Sequence, residues 1–461
     1  MALGSSRRIN PPLSHRRPPM PPLTVRELLR LAVPSMVFAV LTFAFRSVDQ
    51  LWIQWVSTEA QAAIGSSVFV VIAMLAAFEL PALGAAPLIA RATGAGDAAG
   101  RRAVLGSALA ATLLITAGLM AAGLAGAGAI GATLGLSGET AADFHRYLGS
   151  LCLTLPPLAL TPLVDSSFIA MGNTRTPMLL QGLCLAANVV LTPLFIYPEI
   201  AGVPGLDLGI AGAALASNLS RALSTGLGGW LLIGETGLGW ADARPGPSLR
   251  RIFRIGAPLS AGTLIFAVVY QAMLRTSVSP LGPEVNAALG IGFSALEGVT
   301  WPAFHGLSLA VSSIVGRALG AGQPERAWAA VRLAFPLLTA AGIVAWAAFL
   351  FGGPWLTGLF TEDPLVHERA TEYAAVLAWS QLFVAYESLT EGVLGGAGDS
   401  RTLFLISVPL NLARVPLAWA LAFPVGLGAA GIWWAVNLST YAKVALKVAA
   451  VWQGRWVTLE V

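Results

Sequence analysis

The sequence is poor in charge: only 11% of its 461 residues are charged, whereas 56% are hydrophobic. Soluble globular proteins carry charge on roughly a quarter of their residues, so this composition excludes an ordinary soluble protein. Long apolar runs rich in Gly, Ala and Leu, with little alternation of polar and apolar residues, exclude an outer-membrane β-barrel. The composition therefore predicts an all-α polytopic membrane protein.

Cysteine and histidine are also scarce. Cys152 and Cys184 fall in apolar segments without a CxxC spacing, which indicates neither a disulfide framework nor a thiolate metal site. The four histidines, and the absence of HExxH and GxSxG patterns, leave little basis for an enzyme. The glycine turns around Gly94 and Gly320 lack the GxxxxGK[ST] pattern of a phosphate loop. We expect no organic cofactor.

The long apolar runs fit about twelve transmembrane helices, because a hydrocarbon core about 30 Å thick needs roughly 20 apolar residues per helix. The predicted division is a disordered cytoplasmic tail (1–27), a six-helix lobe (28–234), a cytoplasmic linker (235–254), a second six-helix lobe (255–453) and a cytoplasmic C-terminal tail (454–461). The first tail is rich in Arg but lacks the apolar core of a secretory signal peptide. Whether it is a targeting segment stays open.

An internal duplication organises the chain. The same spacing of 226 residues separates three pairs: Asp165 and Glu391, Gly172 and Gly398, and Arg175 and Arg401. Three further matches keep the same order: RLAVPS at Arg30 with RIGAPLS at Arg254, ARATGAGD at Ala90 with GRALGAGQ at Gly316, and LGIAGAALASN at Leu208 with LGAAGIWWAVN at Leu427. Because an even number of spans separates each segment from its copy, the repeats are predicted to be parallel, with the binding cavity between them.

Loop charges predict the orientation. Arginines gather on one predicted side, namely Arg7, Arg8, Arg16, Arg17, Arg101, Arg102, Arg250, Arg251, Arg326 and Arg455. Acids gather on the other, namely Glu59, Glu139, Asp207, Glu284, Glu362 and Asp363. Since basic loops stay in the cytoplasm, both termini are predicted to be cytoplasmic in a multi-pass protein of the plasma (inner) membrane. The basic balance thus reflects topology, and no nucleic-acid partner is expected.

Several motifs carry a resemblance to a known family. GNTRTP followed by NVVLTPLFIY, the paired turns RATGAGD and RALGAGQ, and GVLGGAGDSRT followed by NLARVP together resemble the multidrug and toxic compound extrusion (MATE) family. The resemblance covers nearly the whole chain after the first tail. It implies a V-shaped pair of lobes and an efflux antiporter that exchanges inward Na⁺ or H⁺ for outward organic cations or similar compounds. A single acid in helix 1 makes the chain more similar to the DNA-damage-inducible-protein-like branch.

The resemblance also implies a site for the coupling ion in the first lobe. That branch commonly reads Asn-x-x-x-Asp-Pro in helix 5, and its Asn and Asp join the acid of helix 1. Here the matching residues are Asp49 and Asn188, but Thr192 stands where the second acid is expected. Asp49 and Asn188 are the candidate Na⁺ ligands. Thr192 offers a hydroxyl oxygen but cannot carry a proton, so the coupling ion stays open between H⁺ and Na⁺.

Ionisable residues inside the predicted spans are candidates for the substrate cavity or a gate, since a charge in the membrane is costly. Asp165 and Glu391 are matched across the repeat and either line a gate or pair with Arg175 and Arg401. The remaining candidates, predicted to give the cavity negative charge and aromatic contacts, are Glu79, Tyr270, Gln271, Glu297, Trp301 and Glu387. The alternative is that their acids pair with Arg46, Arg275, Arg414 or His305.

Arg414 is predicted to form a structural ion pair. It lies 226 residues after Asn188, roughly 16 Å deep in helix 11, where an unpaired guanidinium is very costly. Glu387 and Glu391 are the nearest acids by depth. The hypothesis is that this pair locks the second lobe and leaves ion coupling to the first.

The overall prediction is a transporter of small organic molecules that acts as a monomer in the lipid bilayer. Two other classes stay open. A lipid-linked saccharide flippase of the wider superfamily favours a basic cavity for pyrophosphate, against which the acids argue. A polytopic membrane enzyme is the third reading.

Overall fold

The computed structural model describes residues 21–53, 58–134 and 136–461, except for the side chains of residues 49, 50, 53, 58–69 and 295. In the first half the helices are α1 (Val25–Ile53), α2 (Thr58–Ala95), α3 (Ala98–Thr133), α4 (Gly138–Leu153), α5 (Leu155–Met171), α6 (Arg175–Ile196) and α7 (Gly209–Thr236). A short hairpin of β1 (Glu199–Ile200) and β2 (Val203–Pro204) joins α6 to α7.

The second half repeats this order. Its helices are α8 (Ser248–Met273), α9 (Pro283–Ile291), α10 (Gly298–Gly320), α11 (Pro324–Gly358), α12 (Pro364–Ala378), α13 (Gln381–Ala397), α14 (Ser400–Ala422) and α15 (Gly428–Gln453). Two π-helical segments, Leu274–Val278 and Gly292–Glu297, follow α8 and precede α10. Since α8 begins at Ser248, the last part of the predicted linker 235–254 is helical.

The helices form a membrane bundle. By length and composition, seven described helices can cross a membrane, and an eighth crossing is made if the bent pair of α4 and α5 is one span. Joining α4 with α5, α9 with α10 and α12 with α13 groups the fifteen described helices into twelve helical segments, six in each half. The all-α polytopic fold predicted from the sequence is confirmed. The remaining helices, such as α7 and α15, carry buried polar side chains inside the protein.

The fourth span of each half is broken, whereas the sequence was read as one continuous helix there. The bend between α4 and α5 is 54° and lies at Thr154, directly before a Pro pair. Asn218 of α7 donates to the carbonyl oxygen of Leu151 (3.3 Å) and to Thr154 Oγ1 (2.6 Å). Its counterpart in the second half, Asn437 of α15, donates to the carbonyl oxygen of Val376 (2.7 Å) near the end of α12. Each break is therefore held by a buried Asn of the last helix of its lobe.

The two lobes meet at the face that carries the glycine turns around Gly96, Gly172, Gly322 and Gly398, which we call the turn face. A Cβ on Gly94 would lie 1.9 Å from the carbonyl oxygen of Arg317, and one on Gly320 would lie 2.0 Å from the carbonyl oxygen of Arg91. Gly94 and Gly320 are 226 residues apart, as are Arg91 and Arg317, so the two contacts are copies of each other. The contact is therefore reciprocal, as two parallel repeats about a common axis require.

The helices of one half also pack against those of the other along their length. α1 packs against α10, and α2 packs against α8 and α10. Leu28 and Ala32 of α1 are buried in an apolar cluster formed mostly by the second half. The start of α1 thus belongs to the apolar core of the second half.

Candidate functional site

One face of α6 presents a stripe of polar side chains to the interior of the first lobe. Gln181, Asn188 and Thr192 lie at helical spacing, and all three are buried. Asn188 Nδ2 donates to Ser217 Oγ of α7 at 3.2 Å. Thr192 Oγ1 has no hydrogen-bond partner among the residues that the structure describes. A buried hydroxyl without a partner is costly, so Thr192 is well suited to contact an ion or water.

Asp49, the predicted coupling acid, has its backbone in α1, but its side chain lies outside the described residues. The meeting of Asp49 with Asn188 and Thr192 therefore stays a prediction.

Asp165 of α5 lies in a narrow cleft inside the first lobe. Polar side chains of α5, α6 and α7 share the cleft, namely Thr161, Gln181, Ser224 and Thr225. The hydroxyls of Thr161 and Thr225 are 2.7 Å apart. The alternative pairing of Asp165 with Arg175 is wrong: Arg175 is exposed at the start of α6, and no described cation lies within 4.0 Å of the Asp165 carboxylate.

The two acids of α13 have partners that the sequence reasoning missed. Glu387 Oε1 accepts from Lys443 Nζ at 2.9 Å and from Lys447 Nζ at 2.8 Å. Lys447 Nζ also donates to Glu391 Oε1 at 2.7 Å. The proposed pairing of Glu391 with Arg401 is not formed, because Arg401 is exposed. The signal was available, since two lysines four residues apart in α15 match the spacing of the two acids in α13.

Arg414 corrects the predicted ion pair. It is buried, but its Nε donates to Ser439 Oγ at 2.9 Å and its Nη1 to Tyr270 Oη at 3.4 Å. Its Nη2 lies 3.5 Å from Thr440 Oγ1. No carboxylate of the described residues is within 4.0 Å, so Glu387 and Glu391 are not its partners. Arg414 therefore donates to hydroxyl groups of α8 and α15, where the sequence predicted an acid as its partner.

An aromatic cluster surrounds this guanidinium. Tyr270 lies below Arg414, with 5.7 Å between the guanidinium carbon and the ring centroid, and it contacts Phe293 edge on. Glu297 accepts a hydrogen bond of 2.7 Å from Tyr373 Oη, and the alternative that it pairs with Arg414 is not observed. Gln271, next to Tyr270, is half-buried. Both π-helical segments border this cluster, and such segments are frequent at functional sites.

Glu79 and Trp301 lie apart from these clusters. Glu79 of α2 accepts a hydrogen bond of 3.2 Å from Thr263 of α8, so it bridges the two lobes. Trp301 of α10 is 49% exposed and stacks on His305 with 4.5 Å between ring centroids. The structure therefore separates the predicted cavity residues into a bridge at Glu79, an aromatic surface at Trp301 and two polar lobe interiors.

No group of three or more potential metal-ligating side chains occurs among the described residues. By themselves, Asn188 and Thr192 supply only neutral oxygen atoms. A site for a monovalent cation such as Na⁺ therefore needs a carboxylate as well. The described residues thus allow a Na⁺ site but do not complete one.

The MatE family model matches residues 29–194 and 260–420, which fall in the two lobes. The chain belongs to the MatE family. The two matched regions correspond to the two copies of the internal duplication, and they include the Asn…Pro pairs of α6 and α14.

Relatives of this MatE protein extend over nearly its full length. The probable multidrug resistance protein NorM of Thermotoga maritima is 26% identical and is matched over 94% of this chain and 93% of its own. A FAD transporter of Shewanella oneidensis is 27% identical over 76% of this chain and 78% of its own. A solved structure described as the outward-facing conformation of a multidrug resistance MATE family transporter superposes with a TM-score of 0.86, at 20% identity, over 94% of this chain and 96% of that one. That similarity establishes the V-shaped two-lobe fold.

Proposed function

We propose that this MatE protein is a secondary multidrug efflux antiporter that exports organic compounds, many of them cationic, in exchange for protons. The family membership and the multidrug resistance name of the Thermotoga relative support the class of transporter. The proton, rather than Na⁺, is our assignment from the residues of the first lobe.

One contrast between the lobes carries the choice of coupling ion. In the second lobe, Glu387 and Glu391 are neutralised by lysines. In the first lobe, Asp165 is enclosed by neutral polar side chains, and no described cation lies within 4.0 Å of it; Arg221 of α7 is the cation that acts on it from a longer distance. An unpaired carboxylate inside a membrane is costly, and binding a proton removes that cost. Asp165 therefore joins Asp49 as a proton-binding group of the first lobe.

Thr192 favours the same assignment. Thr192 stands where the resemblance leads one to expect a second acid. A cation beside α6 would therefore meet only neutral oxygen ligands, from Asn188 and Thr192. A Na⁺ ion bound there would face one negative charge fewer than in the two-acid site that the resemblance implies. A proton needs only a single carboxylate. We assign Asn188 and Thr192 the role of orienting the protonated acid or its water.

The remaining features of the proposal follow from the membrane. Arg101, Arg251 and Arg326 begin helices at the turn face, and Glu139 and Glu284 begin helices at the opposite face. With basic ends on the inside, the turn face and both termini are cytoplasmic in the inner membrane. The protein works as a monomer with the bilayer and small molecules as its partners.

The test is export from proteoliposomes. Purified protein is reconstituted, a fluorescent organic cation is loaded, and a pH gradient and a Na⁺ gradient are imposed separately. We expect the pH gradient alone to drive transport, and Asp49→Asn and Asp165→Asn each to reduce the rate to near that of protein-free liposomes. Glu235→Gln, at the end of α7 and exposed, is the matched control for loss of one acid.

Two results contradict the proposal. Strong, saturable stimulation by Na⁺ at fixed pH makes Na⁺ the coupling ion. Absence of transport under both gradients, in protein that is folded by thermal unfolding, removes the antiporter assignment and leaves the flippase alternative to be examined with a lipid-linked saccharide.

A further inference from the structure

The interior of the second lobe holds two lysines beside the acids of α13, although the sequence pointed only to the acids and to Arg414. Lys443 and Lys447 are both buried in α15, and Lys447 is 0% exposed. Three contacts shorter than 3.0 Å tie them to Glu387 and Glu391. The candidate acids of this lobe are therefore already neutralised, and they give a cationic substrate no free negative charge.

Arg414 adds a third cation to the same interior. Its guanidinium contacts hydroxyl groups of α8 and α15 and no described carboxylate within 4.0 Å. Glu297, the remaining acid nearby, is engaged by Tyr373. Three cations therefore face three acids, because a hydrogen bond from Tyr373 leaves the charge of Glu297 in place. With the charges balanced, an anion enters this interior most easily by taking the position of one of the acids.

One member of the network is placed to be exchanged. The side chain of Glu391 is 49% exposed, whereas that of Glu387 is 15% exposed and that of Lys447 is fully buried. Glu391 can therefore turn away toward the accessible space, but Lys447 cannot follow it. Lys447 then keeps Glu387 as a partner, and the position that Glu391 vacates beside its ammonium is open to another anionic oxygen.

We infer that the second lobe binds an anionic oxygen of the substrate, from a carboxylate or a phosphate, at Lys447 in place of Glu391. The inference rests on the proposed transport function and names a substrate class for it: amphiphilic compounds with an anionic group, including zwitterions. Lys443 holds Glu387 during the exchange, so the network keeps one internal ion pair throughout.

A neighbouring aromatic surface fits the other end of such a substrate. Gly392, next to Glu391, packs closely against Ser308 of α10. Trp301 lies two helical turns from Ser308, about 10 Å along α10, and stacks on His305. A planar ring system on Trp301 therefore lies within reach of an anionic group at Lys447 when both belong to one drug-sized molecule.

The test compares ligands that differ only in the anionic group. Rhodamine 110 carries a free carboxylate, and rhodamine 123 is its methyl ester. Flavin mononucleotide carries a phosphate that riboflavin lacks. Affinities of all four are measured by fluorescence anisotropy with the full-length protein in lipid nanodiscs. The first pair reports a carboxylate source and the second pair a phosphate source.

We expect Lys447→Met to lower the affinity of the anionic member relative to its neutralised partner by about tenfold, the loss of one charge-assisted hydrogen bond. Glu391→Gln is expected to raise that relative affinity, because it removes the competing carboxylate. Arg369→Gln is the matched control: it removes a cation of the same lobe whose ion pair with Glu372 is at the surface. The relative affinity should not change in it.

A variant that stays folded keeps the test decisive. If Lys447→Met does not fold, Lys447→Met combined with Glu391→Gln removes one charge of each sign and is measured instead. An unchanged relative affinity in both ligand pairs overturns the inference, and so does an equal change in Arg369→Gln. The proposed function is scored separately, by export of rhodamine 123 under a pH gradient in the wild type, so each can fail alone.

Discussion

At the scale of single residues, the second lobe depends on the charge balance of a buried network. Glu387 Oε1 is shared by both lysines, and among the described residues Lys443 has no other carboxylate within 4.0 Å. Removing Glu387 therefore strands Lys443, whereas removing Glu391 leaves Lys447 with Glu387. The two glutamates should differ sharply in their effect on stability.

We expect Glu387→Gln to destabilise the protein by about 3–5 kcal/mol, the usual cost of breaking a buried ion pair. Combining it with Lys443→Met should recover most of that loss, since the stranded ammonium is then gone. Thermal unfolding of the single and double variants in detergent measures both effects. Strictly additive losses would show that the two side chains are not coupled.

Thr192 supports a second prediction at this scale. Its hydroxyl is fully buried without a described partner, one turn beyond Asn188 in α6. Thr192→Asp adds the second carboxylate that the resemblance leads one to expect, so Na⁺ should stimulate transport more in this variant than in the wild type. Thr192→Asn, which adds an amide of the same size without charge, is the control. Equal Na⁺ responses in Asp and Asn variants would contradict the argument.

The sequence predicted where the buried charged residues lie better than it predicted which residues they contact. The sequence identified Glu387, Glu391 and Arg414 as costly intramembrane charges, and all three lie in one lobe interior. It assigned the wrong pairs because depth along a helix was known but rotation about the helix axis was not. The hydroxyls of Ser439 and Thr440 that hold Arg414 give no signal in sequence, since Ser and Thr are common in such helices.

At the scale of elements, the broken fourth span of each half is held by one buried Asn. Only the first break has a signal in the sequence, where Pro156 and Pro157 follow it and disfavour helix before them. No proline accompanies the break between α12 and α13. There the end of α12 is held by Asn437 of α15, a contact between distant parts of the chain.

We expect Asn437→Leu to destabilise the protein by about 0.5–1.5 kcal/mol, because it removes a buried hydrogen bond to the Val376 carbonyl oxygen, which keeps the Trp379 amide as its other donor. Asn218→Leu should cost more than Asn437→Leu, since Asn218 donates to two acceptors. Asn286→Leu, at a half-buried position of α9, is the control for the same change outside a break. Thermal unfolding reports the order, and a larger loss for Asn437 than for Asn218 would contradict it.

At the scale of the whole molecule, the duplication accounts for most of what could be predicted. Composition gave the membrane class, the repeat gave two parallel halves, and both agree with the fold. The shape of the interior could not be predicted, because the π-helical segments and the lobe contacts depend on packing between segments far apart in sequence.

The reciprocal contact between the lobes leads to a prediction about this scale. Gly94→Leu places a side chain against the backbone of Arg317 and should separate the lobes at the turn face. We expect loss of transport and greater labelling of a cysteine introduced at position 321, with the fold retained. Gly118→Leu, on an open surface of α3 with no atom within 4 Å, is the control and should transport normally. Normal transport by Gly94→Leu would show that the contact is dispensable.

A tilt of one lobe against the other about this contact would move the two ends of α2 by very different distances. From Gly94 to the opposite end of α2 at Thr58 is about 54 Å of helix. A tilt of about 10° around the glycine contact therefore carries that end through about 9 Å, while the backbone at the contact hardly moves. The part of α2 beyond Gly94 is short and lies at the close contact between the lobes, whereas the long part leads to the opposite face. In this geometry, a displacement of under an ångström beside the glycines corresponds to one of several ångströms at the far end of α2.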